Sequence, residues 1–351
     1  MHAYTEEEGK RDMRQMDLLR EECPQVTIDE LKANCSSLDW YKEKGIVLGL
    51  DSEDILKPYY DREYSFDCPP LYLMDCVNAE IEGKTSMRYM VISTNGHLVA
   101  IVFKIIQLMK TKRIHLFDIP LSEDNESMME VLEVLKKSSI ITFIFKEKYL
   151  PLFGKCERKE SYNDYYFDLE KDNERLFMNN EWQKDIGIRK FIRNENGYHI
   201  VNLQGMHQYD DAMLECRRRW WKAKDEKTRD NERKFLVNSL EISSSKVWNV
   251  ALMHKDTVLA VKTLIIHDGY AVMPLLFHVS RDYVELRSNG IDNIVLRHLD
   301  KCMRYVSGKM LLENGIKREY MLGFAPGNKS LKKHKEKISS GCIRYYSTAR
   351  P

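Results

Sequence analysis

The chain has 351 residues, 43% hydrophobic and 31% charged, with 55 Lys and Arg against 54 Asp and Glu for a formal net charge of +1. That length suits two domains better than one, and the balanced charge excludes a general electrostatic attraction to nucleic acid or membrane, leaving only local clusters. Met1 to Glu8 are polar and acidic, and the longest apolar runs, such as Leu98 to Ile106, are too short to span a bilayer. A cytoplasmic protein without a transmembrane segment is expected. The eight cysteines are scattered and form no CxxC pair, so reduced thiols and no metal are expected.

Residues 1–60 read as short helices and loops. Asp12 to Glu22 and Thr27 to Asn34 have helical spacing, and Thr27 followed by Glu30 fits a capping box. From Met87 the pattern turns to strands. The run MRYMVI is followed by Asn95-Gly96 and then HLVAIVFKIIQL, a hairpin signal because both turn residues tolerate positive φ. A strand from Arg113 follows, then an amphipathic helix from Asn125 to Ser138 with Met128, Met129, Val131, Leu132 and Leu135 on one side. SIITFIF reads as a buried strand, Lys146 to Phe153 as a short helix, and Tyr165 to Leu169 as the last strand of this half.

The same order recurs downstream. KVWNVALM turns at His254-Lys255-Asp256 into TVLAVKTLII, and His267-Asp268-Gly269 turns into YAVMPLLFHV, a three-strand meander. A helix from Ile291 to Val306 carries the stripe Ile294, Val295, Leu299, Met303 and Val306. A strand at Arg318 to Leu322, a basic helix at Lys329 to Ile338 and a closing strand at Cys342 to Tyr346 follow. The repeated β-β-β-α-β-α-β order points to a duplicated module. The expected organisation is an N-terminal helical segment (1–60), a first module (61–172), a helical connection (173–240) and a second module (241–351).

Three stretches carry a resemblance. Asp168 to Leu203 includes Ile188-Arg189-Lys190 after a strand ending in Asp-Leu; Glu215 to Lys224 reads ECRRRWWKAK; Tyr320 to Ile338 reads YMLGFAPGNKSLKKHKEKI. Together they resemble the tandem GNAT-like acyltransferases, including Fem-type aminoacyltransferases and lysyl-phosphatidylglycerol synthases, over roughly residues 85–347. The resemblance implies an α/β (α+β) fold of two tandem GNAT-like modules, each a mixed, mostly antiparallel sheet flanked by helices, with the second module catalytic.

It also implies a donor, acetyl-CoA or another acyl-CoA, whose pyrophosphate sits on a helix N-terminus after an Arg-x-x-Gly-x-Gly/Ala turn. Here Arg287, Ser288, Asn289, Gly290 and Ile291 occupy that turn, and Asn328 lies in the closing motif as a further cofactor-binding candidate. Asp292 replaces the small residue, and a carboxylate there repels a pyrophosphate while suiting the start of a helix. Relatives fed by aminoacyl-tRNA also lack a faithful turn, so that donor stays open.

An amine nucleophile must lose a proton before attack. His267, Asp268, His278 and Glu285 are candidate bases, with His278 favoured by its place in an apolar strand and its near-neutral titration. Tyr270, Tyr345 and Tyr346 are candidate proton donors. Two basic clusters invite nucleic acid, tRNA or DNA: Arg217, Arg218, Arg219, Lys222 and Lys224 around Trp220 and Trp221, and Lys329, Lys332, Lys333, Lys335 and Lys337 on the last helix. Arg219, Trp220 and Lys335 are the substrate-binding candidates. Three functions follow: N-acyl transfer to an amine on a small molecule, peptide or modified nucleobase; aminoacyl transfer from tRNA; or a non-catalytic GNAT-like binding protein.

Overall fold

The computed structural model describes residues 25–49, 56, 87–108, 111–154, 158–170, 189–191, 197–203, 206–221, 246–267, 269–279, 290–324, 332–333, 335–336 and 339–348. The chain forms two compact units, one of residues 1–162 and 343–351, the other of residues 163–342.

In the first unit, strand β1 (Gln25–Thr27) leads into helix α1 (Ile28–Asn34), then helix α2 (Leu38–Lys44) and strand β2 (Ile46–Val47). The capping box forms: Glu30 N–H donates to Thr27 Oγ1 at 3.2 Å, and Thr27 N–H donates to Glu30 Oε2 at 2.8 Å. Two donors that the first turn would leave unsatisfied are thereby paired. Strands β3 (Met87–Thr94) and β4 (His97–Leu108) meet at the Asn95-Gly96 turn, where φ is 51° and 78°. Both residues lie in the left-handed region that this two-residue turn demands, which sets Thr94 opposite His97. Strand β5 (Thr111–Phe117), the short β6 (Leu121–Ser122), helix α3 (Asn125–Lys137) and strand β7 (Ile141–Lys146) follow.

The sheet of this unit runs β1-β3-β4-β5-β7, with β2 on β3 and β6 on β4. Beyond β7 comes the chain's final strand, β14 (Gly341–Thr348), antiparallel with Tyr345 opposite Lys146. Helix α3 buries Met128, Val131, Leu132 and Leu135 in the core with Phe103, Phe143, Phe145 and Trp40. Each such side chain contributes roughly 1.5–3 kcal/mol by leaving water.

The second unit begins within β8 (Arg158–Asp168), continues with β9 (Tyr198–Asn202) and helix α4 (Asp210–Trp221), and then the meander β10 (Val247–His254), β11 (Thr257–His267) and β12 (Tyr270–His278). Helices α5 (Asn293–Leu296) and α6 (Leu299–Glu313) precede strand β13 (Arg318–Phe324). The single helix read from Ile291 to Val306 is therefore two, separated at Arg297-His298 and extended to Glu313. Strand order is β8-β13-β12-β11-β10-β9. β12 and β13 are parallel and the other neighbours antiparallel. Helix α4 buries Met213 and Cys216, and α6 buries Leu299, Cys302, Met303 and Leu311, against Val250, Leu252, Val261 and Leu264.

Both units thus repeat one order, three antiparallel strands, a helical crossover and a parallel strand. The strand that ends the first repeat, β8, pairs with β13, and the strand that ends the second, β14, pairs with β7. Tyr165 and Phe167 on β8 are buried in the second unit's core. Pattern alone reads each closing strand into its own half. Which sheet edge it joins depends on which core accepts its apolar face.

Candidate functional site

The second unit contains a fork between parallel strands. β12 and β13 stay in register only from Tyr270 opposite Arg318 to Met273 opposite Met321. Beyond that, β12 is held by β11, with Leu275 opposite Thr263 and His278 opposite Ala260, while β13 is held by β8, with Phe324 opposite Asn163. Pro274 stands at the parting point and has no N–H to donate to a neighbouring strand. Met273 and Pro274 together lie opposite the single residue Leu264, so β12 bulges there. A sheet that parts in this way exposes backbone groups, which must be satisfied by water or by a bound molecule.

In the first unit the parallel pair is equally short but gains one backbone bond beyond its register. β5 and β7 remain paired from Ile114 opposite Ile141 to Phe117 opposite Ile144, and Asp118 N–H donates to the Ile144 carbonyl. Lys146 Nζ then forms a buried ion pair with Asp118 at 3.2 Å. Asp118 adopts φ of 66°, a conformation that Asp and Asn tolerate better than most residues.

At the fork, the space between sheet and α6 holds a buried polar group. Lys262 Nζ on β11 lies 2.5 Å from Glu319 Oε2 on β13 and donates to Ser307 Oγ on α6 at 2.7 Å. Burial, only partly offset by Glu319, pushes the Lys262 ammonium down to about 8. Arg304 of α6 stacks over Phe167, 5.3 Å from its ring centre, and donates from Nη1 to Met321 Sδ at 3.0 Å. Lys335 is also drawn down to about 8, by burial first and then by Arg304, while Asp164 opposes the shift.

The expected donor turn is partly described. Gly290 has φ of 78°, and an added Cβ would meet nothing within 4 Å, so backbone conformation rather than space favours glycine there. Asp292 caps α5: its Oδ1 accepts from Ile294 N–H at 2.7 Å, and its Oδ2 pairs with Lys190 Nζ at 3.2 Å. The Ile294 N–H bond, then Lys190, holds the carboxyl below its ordinary value. The helix N-terminus that a pyrophosphate would use is therefore capped by the protein's own carboxylate. Ile291 is buried.

His278, near the open end of β12, has Nδ1 3.0 Å from the Val279 carbonyl. A carbonyl only accepts, so this contact is a hydrogen bond in the tautomer with the hydrogen on Nδ1, and in that tautomer the lone pair is on Nε2. Tyr270 is 4% exposed and packs edge-on to Tyr320, 5.9 Å between ring centres, which gives it a packing role at the paired end of the fork. Tyr345 is buried in the first unit, and Tyr346 there donates to Glu147 at 3.3 Å. Arg218 is clamped by Glu215 through bonds of 2.6 and 2.7 Å. Glu285, Arg287, Ser288, Asn289, Asp268 and Asn328 lie outside the described residues, as do the side chains of Arg219, Trp220 and His267.

Sequence reading missed Lys262, Glu319, Arg304 and the role of Lys190. The available signal was a lone cation inside each apolar stretch: Lys262 within TVLAVKTLII, and Arg304 beside the α6 stripe. Among the described residues, no three His, Cys, Asp or Glu side chains come together as metal ligands, and no helix is long and apolar enough to cross a membrane.

No protein-family model matches the sequence, and no curated protein matches it. Solved structures do. A conserved protein of unknown function from Bacteroides thetaiotaomicron VPI-5482 superposes with TM-score 0.58 at 12% identity, covering 86% of this chain and 98% of its own. FemX superposes with TM-score 0.52 at 10% identity, covering 86% and 96%. L-PGS from Bacillus licheniformis matches at TM-score 0.46 and 13% identity, covering 78% and 90%. The first two share the fold of this chain, a mixed α/β architecture with a mostly antiparallel sheet flanked by helices, as expected from the sequence.

Proposed function

We propose that the chain transfers an acyl or aminoacyl group to an amine at the fork between β12 and β13. The observation that carries this reading is the parting of the two parallel strands after Met273 and Met321, beside Pro274. Freed backbone N–H and C=O groups there suit a donor with its own amide-like chain, held as an added strand. The reaction needs an amine without its proton. His278 Nε2 accepts that proton, the amine nitrogen bonds to the acyl carbon, and the leaving thiol or hydroxyl takes a proton as the acyl bond breaks. Backbone N–H groups along the parted strands are suited to the oxyanion, although Pro274 contributes none.

Asp292 separates the two donors. Because it spans Ile294 N–H and Lys190, a CoA pyrophosphate at the Gly290 turn would have to displace a paired carboxylate. This favours a donor whose phosphates do not rest on that turn, an aminoacyl-tRNA, over acetyl-CoA or another acyl-CoA. Nucleic acid would then be engaged through the Arg217 to Lys224 cluster. Among the described residues Cys35, Cys216, Cys302 and Cys342 form no disulfide, which suits a reducing compartment, and we place the protein in the cytoplasm.

The test offers the folded protein labelled acyl-CoAs and charged tRNAs with a panel of amines, following both binding and transfer. Transfer from charged tRNA, sensitive to salt and weakened by Arg218→Ala, supports the reading. Transfer from acyl-CoA alone overturns the choice of donor, and binding of neither donor overturns the function.

A further inference from the structure

Arg304 is held on three sides. Its guanidinium lies over the Phe167 ring at 5.3 Å, Nη1 donates to Met321 Sδ at 3.0 Å, and Glu319 stands within Coulombic reach. Yet among the described residues no carboxylate forms an ion pair with it: Glu319 is committed through Oε2 to Lys262, and Asp300, one turn back on α6, acts only at longer range. Two buried atoms of opposite polarity are left without a partner, Arg304 Nε as donor and Glu319 Oε1 as acceptor. A thioether sulfur is a weak acceptor and an aromatic face a weak anion substitute, so this half-buried guanidinium, with its Nε fully buried, is poorly compensated.

Nη1 is engaged, so the side-on edge, Nε with Nη2, is the unbonded one. That edge presents two parallel N–H groups in the fork that grips a carboxylate or phosphate bidentately. Its place is meaningful. Met321, the residue that Nη1 touches, is the last residue of β13 in register with β12, so the guanidinium sits at the root of the parted strands.

We propose that Arg304 is the grip of an oxyanion subsite at this fork, taking a carboxylate or phosphate of the substrate through Nε and Nη2, with Glu319 Oε1 accepting from an N–H or O–H group beside that oxyanion. Its assignment to the substrate rests on the transfer reading, but its capacity to bind an anion does not.

The test uses the full chain and follows its thermal midpoint with acetate, glycolate or inorganic phosphate at constant ionic strength, against chloride. The midpoint of the wild type should rise with at least one of the three, with glycolate above acetate if the carboxylate is the natural group. Phosphate alone assigns a phosphate. Arg304→Met should lose the rise, which also removes any general salting effect, and in chloride should melt at or above wild type, because it deletes a half-buried charge with no ion-pair partner of its own. Arg304→Lys keeps the charge without the fork and should bind about tenfold or more weakly. No rise with any anion, a rise that survives Arg304→Met, or an Arg304→Met protein that melts well below wild type or fails to fold, would show a structural guanidinium and overturn the proposal. Anion binding without transfer would leave the subsite standing and sink the transfer reading alone.

Discussion

Lys262 and Glu319 meet at 2.5 Å across the width of β12, one anchored on β11 and the other on β13, with both side chains buried. The pair ties together the two strands on either side of β12. Lys262→Met should cost about 3 kcal/mol in urea unfolding, because it leaves a buried carboxylate unpaired. The double variant Lys262→Met with Glu319→Leu should recover most of that loss; an additive double variant would refute the coupling.

The same lysine makes stability depend on pH. Burial sets the folded value of Lys262, and that of Lys335, at about 8, below the ordinary lysine value of 10.5. Between those two values the unfolded chain binds more protons than the folded one, so unfolding free energy rises with pH across that window. Below about 8 both states are protonated, and the penalty for burying the charge is present in full. Wild type should therefore gain stability from pH 8 towards 10.5 relative to Lys335→Met; parallel curves would refute the assignment for Lys335.

Asp292→Ala should lose a helix cap and its bond to Lys190, lowering stability by roughly 1 kcal/mol. If the carboxylate is what bars a pyrophosphate, the same change should tighten CoA binding, read by calorimetry. CoA affinity identical in the two proteins would argue that Asp292 guards nothing.

Replacing His278 with Gln keeps a polar side chain of similar reach and removes the proton acceptor. Transfer should slow by about 10²–10⁴-fold with little change in thermal midpoint. A fully active His278→Gln protein would move the general base elsewhere.

Asp118→Asn tests the buried ion pair at the end of β5 in the first unit. Asn tolerates the positive φ, so backbone strain is unchanged and the cost isolates the charge on Lys146, about 3 kcal/mol. Asp118→Ala should cost more by adding that strain. Equal losses would show that conformation is not a factor.

Features fixed by neighbouring residues were legible in the sequence, and those fixed by distant ones were not. The Thr27–Glu30 box and the Asn95-Gly96 turn were written in neighbouring residues, since a cap or a tight turn needs only a local donor, acceptor or permissive φ. The doubled meander was visible for the same reason, through alternation and turn chemistry. Lys190 with Asp292, 102 positions apart, and Lys262 with Glu319, 57 apart, carried no such trace. Nor did the choice of β13 for β8, or of β7 for β14.

The two three-strand runs, their turns and the apolar faces of the main helices followed from the sequence by itself, because each depends on interactions within a few residues. Tertiary structure alone decided which sheet each closing strand completes, where the parallel strands part, and which charges are buried together. Those outcomes depend on surfaces assembled from distant segments, where shape and desolvation outweigh local preference.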